Sequence, residues 1–92
     1  MILYAEVECL IYDVHSLKEK RSVVKRLIHK IKNEPNVAVC ELKYHDMWNQ
    51  VGLGIVTISN ERVHAEKIMQ DILQTIDAFG EVERTITNME WV

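Results

Sequence analysis

The stretch Ser16–Asn33, SLKEKRSVVKRLIHKIKN, decides how the chain is read. Leu17, Val24, Leu27, Ile28 and Ile31 fall on one arc at about 100° per residue, with Val23 at its edge, the spacing of an amphipathic helix lying on a core. Ser16 followed three residues later by Glu19 is a capping-box pattern, in which hydroxyl and carboxylate each satisfy a free N–H group. Asn33 and then Pro35 stop the helix. The same stretch carries Lys18, Lys20, Arg21, Lys25, Arg26, Lys30 and Lys32 against a single acid, Glu19. Seven of the eleven cations and one acid give it +6, which leaves −9 for the remainder of a chain whose net charge is −3. Arg21, Lys25 and Lys32, with Lys18 and His29, form a stripe beside the apolar arc. Lys20 projects into the arc itself, but from the first turn, where it can reach past the end of the core.

That first turn runs against the helix dipole, which favours acids there by about 0.3–1 kcal/mol each. Lys18, Lys20 and Arg21 crowd it, opposed only by Glu19. One reading is a solvated face of long side chains with their heads in water. The other is an anion site, in which free N–H groups and cations act together.

Outward from this helix the pattern alternates. Ile2 to Val14 reads as a first strand, with Leu3, Ala5, Val7, Cys9 and Ile11 facing the helices and Tyr4, Glu6, Glu8, Leu10 and Tyr12 facing away. Val37 to Tyr44 is a second strand, with Ala38, Cys40 and Leu42 predicted inward. His45 to Asn49 form a tight polar connection. A third strand, Gln50 to Ser59, is apolar on both parities, and Gly52 and Gly54 are expected to admit a closely packed helix. Asn60 caps a second helix, Glu61 to Phe79, whose buried arc is Ala65, Ile68, Met69, Ile72, Leu73, Ile76 and Phe79. Gly80 suits a left-handed cap, and Glu81 to Val92 is a fourth strand.

The order βαββαβ implies an α+β, ferredoxin-like sandwich: one domain over residues 1–92, an antiparallel sheet of order 4-1-3-2, and two helices on one face. In that topology His15, Lys18, Lys20, Arg21, His45, Asp46, Trp48 and Gln50 converge at one end, and His64 lies at the other. Cys9 and Cys40 fall on strands separated by the third, about 9–10 Å apart, too far for a disulfide.

Composition is that of a globular domain, 48% hydrophobic and 27% charged. No apolar run approaches the ~20 residues of a membrane span. The apolar N-terminal MILYAEVECLIYDV lacks a basic start and contains Glu6 and Glu8, so it is not a signal peptide. A reduced, cytoplasmic setting is expected.

SLKEKR at Ser16–Arg21, the Val-Cys-Glu of strand two, HDMWNQ at His45–Gln50, the Gly-Ile of strand three and the Ser59–Asn60 helix start resemble the bacterial YlxP-like family of small proteins. The resemblance runs the length of the chain. It implies a ferredoxin-like fold, a cytoplasmic bacterial protein and genomic company with translation and ribosome-maturation genes, including a ribosome-binding factor. Many relatives carry a basic residue where this chain has Gln50.

Catalytic patterns are weak. His15, His45 and Asp46 lack metal-binding spacing, and three cations stand beside them; Asp46 is expected to pair with Lys20 or Arg21, or to cap its turn. Ser16 serves as a cap rather than a nucleophile. The loop after strand one has no glycine-rich phosphate cradle, which sets acylphosphatase chemistry aside. Trp48 is read first as a plug at the end of the core, with one edge available to a partner. Strand three has no aromatic residue, and Glu6 and Glu8 would repel phosphates, so base stacking on the open sheet is not expected. The apolar parts of that face, assigned to Tyr4, Leu10, Tyr12, Val39 and strand three, suggest a homodimer, by sheet face or by edge strand.

The expectation is a non-enzymatic accessory protein of translation. It contacts ribosomal RNA or a small-subunit assembly intermediate through Lys18, Lys20, Arg21, Lys25, Arg26 and Lys32, with His45, Asp46, Trp48 and Gln50 at the rim. No cofactor, metal, membrane or specific DNA sequence is implied. The alternatives are a homodimeric module for a phosphate-bearing metabolite and an enzyme of unknown chemistry.

Overall fold

Every second residue from Leu3 to Ile11 is buried, as the alternation predicts, and this strand lies at the middle of the sheet. The computed structural model describes residues 1–92. Its elements are β1 (Ile2–Ile11), α1 (Leu17–Ile31), β2 (Val37–Lys43), β3 (Gln50–Ile58), α2 (Arg62–Ala78) and β4 (Val82–Trp91). All strand pairings are antiparallel, in the order β2-β3-β1-β4, which is the predicted order read from the other edge. The architecture is ferredoxin-like.

The core forms where the inward parity of the sheet meets the two helical arcs. From α1 come Val23, Val24, Leu27 and Ile31, and from α2 come Ala65, Ile68, Met69, Ile72, Leu73 and Ile76, with Phe79 just beyond. Each such large side chain contributes about 1.5–3 kcal/mol by leaving water. Ser16 caps α1, its Oγ accepting from the Glu19 N–H at 3.1 Å. The Glu19 carboxylate reaches back one residue further than a capping box requires, to the His15 N–H at 3.0 Å.

Several expectations are corrected. Asn60 is not the cap of α2; Glu61 holds that position without a side-chain bond, and the Ser59 hydroxyl accepts from the Glu61 N–H at 3.1 Å. Gly80 is not left-handed; Asp13, Asn36 and Tyr44 are, with φ of 58°, 59° and 65°. The turn after α2 is closed instead by the Val82 N–H donating to the Phe79 carbonyl at 3.1 Å.

The inward parity of β2 is Val37, Val39 and Glu41, whereas Ala38, Cys40 and Leu42 are exposed. Both parities of VAVCELK contain apolar residues, and the pairing with β3 chooses between them. Val39 therefore belongs to the core side and not to the open face. A register shift near Leu42 puts one extra residue on β2. It lets Glu41 face the helices while Lys43 lies over the open face with Glu6 and Glu8.

Gly52 and Gly54 are buried on that open face, under the side chains of β2 rather than under a helix. A Cβ on Gly52 would stand 2.8 Å from Lys43 Cβ, and one on Gly54 would stand 2.6 Å from Leu42 Cδ1. Cys9 and Cys40 are free thiols, one buried and one exposed. Burial pushes the Cys9 thiol up to about 11. No helix is long and apolar enough to cross a membrane.

Candidate functional site

The β2–β3 connection is tied to the start of α1 by a buried lysine. Lys20 is 1% exposed; its ammonium donates to the Tyr44 carbonyl and lies 3.0 Å from Glu41 Oε2. It approaches Glu41 off the hydrogen-bonding direction, so that contact is a charge pair. The Tyr44 carbonyl also accepts from the Met47 N–H at 3.0 Å, closing the turn. The Tyr44 hydroxyl donates to Glu8 at 2.7 Å, which raises its own pKa, and the Ile11 N–H donates to the Asn49 carbonyl at 2.9 Å. The end of β1, the start of α1 and the connection thus meet at one end.

These contacts correct two readings. Lys20 is withdrawn from the proposed anion-binding set, because its charge is already met inside the protein. Its partner is Glu41 rather than Asp46, which is exposed. Glu41 escapes sequence reasoning because both parities of β2 carry apolar residues and the spacing favours the wrong one.

Trp48 does not plug the core. It is 45% exposed, with the His15 ring centroid 6.1 Å away and tilted by 43°. His45 is exposed with Nε2 3.2 Å from the Glu41 carbonyl, and Gln50 is half-buried opposite Leu10. No group of three or more His, Cys, Asp or Glu residues has metal-binding geometry.

Along α1 the cations divide into two kinds. Arg26 grips Glu81 with both guanidinium nitrogens, one pair at 2.9 Å. That hydrogen bonding holds the Glu81 carboxyl below the usual range and raises Arg26. Lys18, Arg21, Lys25, Lys30 and Lys32 are exposed and form no ion pair.

Lys25, Arg26, His29 and Lys30 line a groove of about 370 Å³ with Phe79. The Arg26 and Lys30 charges each lie 5.9 Å from the Phe79 ring centroid. Neither Lys30 nor Phe79 was among the predicted site residues. The spacing assigns Phe79 only to the core, and its meeting with α1 is a helix–helix contact with no local signature.

The open sheet face has the opposite character. Lys43 bridges Glu6 and Glu8, the second at 3.6 Å, and its hydrogen bond holds the Glu6 carboxyl below its usual range. Tyr4 donates to Glu6 at 3.2 Å, and Tyr12 donates to Glu83. Lys43 is already held by two carboxylates, so its charge is not free to meet a phosphate.

A sequence profile for the family described as protein of unknown function (DUF503) matches residues 2–89. The uncharacterized protein YlxP of Bacillus subtilis (strain 168) is 50% identical over 91 residues, covering 99% of each chain. Among solved structures, SnoaB, a cofactor-independent oxygenase from Streptomyces nogalater, superposes with a TM-score of 0.63 at 12% identity, covering 99% of this chain and 92% of that one. A de novo designed ferredoxin-fold protein, LFR1 1, gives 0.63 at 18% identity, with coverage of 100% and 87%. At such identities these likenesses show the fold alone. The full-length match to YlxP and the profile together establish that the chain belongs to the DUF503 family.

Proposed function

We propose that the chain is a non-enzymatic accessory protein of translation that docks on ribosomal RNA, or on a small-subunit assembly intermediate, through α1. One observation carries this reading. Five cations on a single helix are exposed and free of the protein's own carboxylates, in a chain whose net charge is −3. From Lys18 to Lys32 they span about 21 Å at 1.5 Å per residue, long enough to track several phosphates. Lys20 and Arg26 are excluded from the docking set, since Lys20 is buried against Glu41 and Arg26 is gripped at the surface by Glu81. The ribosomal context rests on the genomic company of the YlxP-like proteins.

Phosphate contacts release counterions, so affinity should fall as salt rises, with a slope of about −0.7 per contact on single strands. The test is binding of ribosomal RNA and of small subunits across a salt series, with a Lys18→Glu, Arg21→Glu, Lys25→Glu variant alongside. Steep weakening in both directions supports the reading. An affinity indifferent to salt and to charge reversal overturns it.

A second reading is favoured by the groove over Phe79, whose Lys25, His29 and Lys30 suit a small phosphate-bearing molecule. Competition by a nucleotide at equal phosphate concentration, against RNA, separates the two. The open face, where Leu42, Ile58 and Ile86 are exposed, is where a second copy would pack. Sedimentation equilibrium of the wild type against Ile86→Asp tests that association.

A further inference from the structure

The end of the domain that holds the start of the basic helix also presents an aromatic surface with no internal partner except a histidine. Trp48 is 45% exposed, and its indole N–H makes no hydrogen bond within the chain. Met47 beside it is 41% exposed. His15 immediately precedes the Ser16 cap of α1, so its contact with Trp48 places the indole beside the turn that carries Lys18 and Arg21.

We infer that Trp48, with His15 beside it, is a stacking platform for an unpaired nucleobase, so that this face selects single-stranded RNA over duplex. The inference rests on the RNA reading above and names the form of RNA recognised.

Three features support it. The platform is held in place: Lys20 and Met47 both donate to the Tyr44 carbonyl, and the Ile11 N–H fixes Asn49. Little ordering entropy would therefore be lost when a ligand stacks there. The two rings stand 6.1 Å apart at 43°, which leaves them as separate planes rather than a closed stack. Exposed rings and unpaired cations coincide here. On the open sheet face, Tyr4 and Tyr12 instead lean on Glu6 and Glu83. Base–aromatic stacking tolerates any sequence, because every base has a π-face, while phosphates supply the salt-dependent part. In a duplex those faces are hidden, and side chains cannot read the deep groove. Cations alone would not distinguish the two forms; the indole would.

The probes are a uridine oligonucleotide, the same strand annealed to its complement, and inorganic polyphosphate. The chain has two tryptophans, so Trp91→Phe leaves Trp48 as the sole indole, excited selectively beyond the tyrosine absorption. Trp48 emission should be quenched by the single strand and not by duplex or polyphosphate. Trp48→Ala should weaken single-strand binding about 5- to 150-fold, the loss of one stacked base. It should leave polyphosphate binding unchanged, and Trp48→Phe should retain most of the single-strand affinity.

Trp48→Ala binding the single strand as tightly as the wild type, or an unquenched indole, overturns the inference while leaving the basic face standing. Equal loss for all three probes also overturns it, because the ring would then only support the hairpin. An unsubstituted chain that binds neither RNA nor polyphosphate at low salt removes the RNA reading and this inference together.

Discussion

The Lys20 ammonium and the Glu41 carboxylate lie 3.0 Å apart, with the lysine 1% and the glutamate 22% exposed. Removing one partner leaves the other charge poorly solvated and unpaired. Breaking a fully buried pair costs about 3–5 kcal/mol. With Glu41 part-exposed, Lys20→Met is expected to cost about 2–4 kcal/mol, lowering Tm by about 4–8 °C per kcal/mol. Adding Glu41→Leu should recover part of the loss. Thermal denaturation of the two single variants and the double variant reads this directly, and a double variant no better than the worse single one would contradict it.

Gly52 and Gly54 differ in what lies over them, and so should their alanine variants. At Gly54 the obstacle is Leu42 Cδ1, at 2.6 Å, the far end of a side chain that can rotate. At Gly52 it is Lys43 Cβ, at 2.8 Å, fixed to its own backbone. Overpacking costs about 1–3 kcal/mol, and Gly52→Ala belongs at the upper end. Leu42→Ala should relieve Gly54→Ala, whereas Lys43→Ala keeps its Cβ and should not relieve Gly52→Ala. Urea midpoints for the four combinations decide the point.

Acid stability follows from three paired carboxylates. Arg26 lowers Glu81, Arg84 lowers Asp77 and Lys43 lowers Glu6, each chiefly by hydrogen bonding. A carboxyl whose pKa is lower folded than unfolded stabilises the native state fully above its unfolded value. That stability is lost as pH falls through the folded value. Unfolding midpoints should therefore be flat above the ordinary carboxyl values, 4.5 for Glu81 and 3.8 for Asp77, and decline below them. In Arg26→Gln and Arg84→Gln the decline should be shallower, because the neutral side chain no longer favours the charged carboxylate.

Salt dependence should distinguish free cations from those already paired within the chain. If α1 binds RNA, Lys25→Ala or Lys32→Ala should each reduce the slope of log affinity against log salt by about 0.7 on a single strand. Arg26→Ala should change it less, because its charge is already gripped by Glu81. Lys20→Met, tested below its unfolding temperature, should leave the slope unchanged.

The two thiols should react at very different rates. Cys40 is exposed on β2, whereas Cys9 is buried with its pKa pushed up to about 11. The thiolate is the reactive form. A disulfide reagent at neutral pH should consume one equivalent quickly and the second only as fast as the chain opens. Cys40→Ser should abolish the fast phase.

What could be read in advance divides along periodicity. β1 and both helices carry one strong apolar face each, so most of their buried sets follow from spacing alone. Lys20 falls on the arc of α1, but its burial does not follow from spacing, because the first turn leaves its ammonium a route to water. β2 carries apolar residues on both parities, and its orientation was settled by pairing with β3, a non-local event. Glu41, the partner of Lys20, was lost with that parity. Trp48 is read as a plug at the end of the core with one edge free, and the structure keeps only the exposed part of that reading. The turn that exposes it is built on a left-handed Tyr44, and tyrosine does not advertise that conformation. The groove over Phe79 depends on how α1 meets α2, which no local pattern encodes.

Both outer strands of the sheet carry one residue too many for their neighbour, near Leu42 on β2 and at Thr85 on β4. An uninterrupted rim would be a ready template for a foreign backbone, and through it for runaway polymer growth. Here each rim is kinked partway along, and the twist that accompanies such a kink spoils the match to any straight incoming strand. A small, densely hydrophobic chain is thereby guarded against fibril formation by two irregularities in its hydrogen-bond ladder.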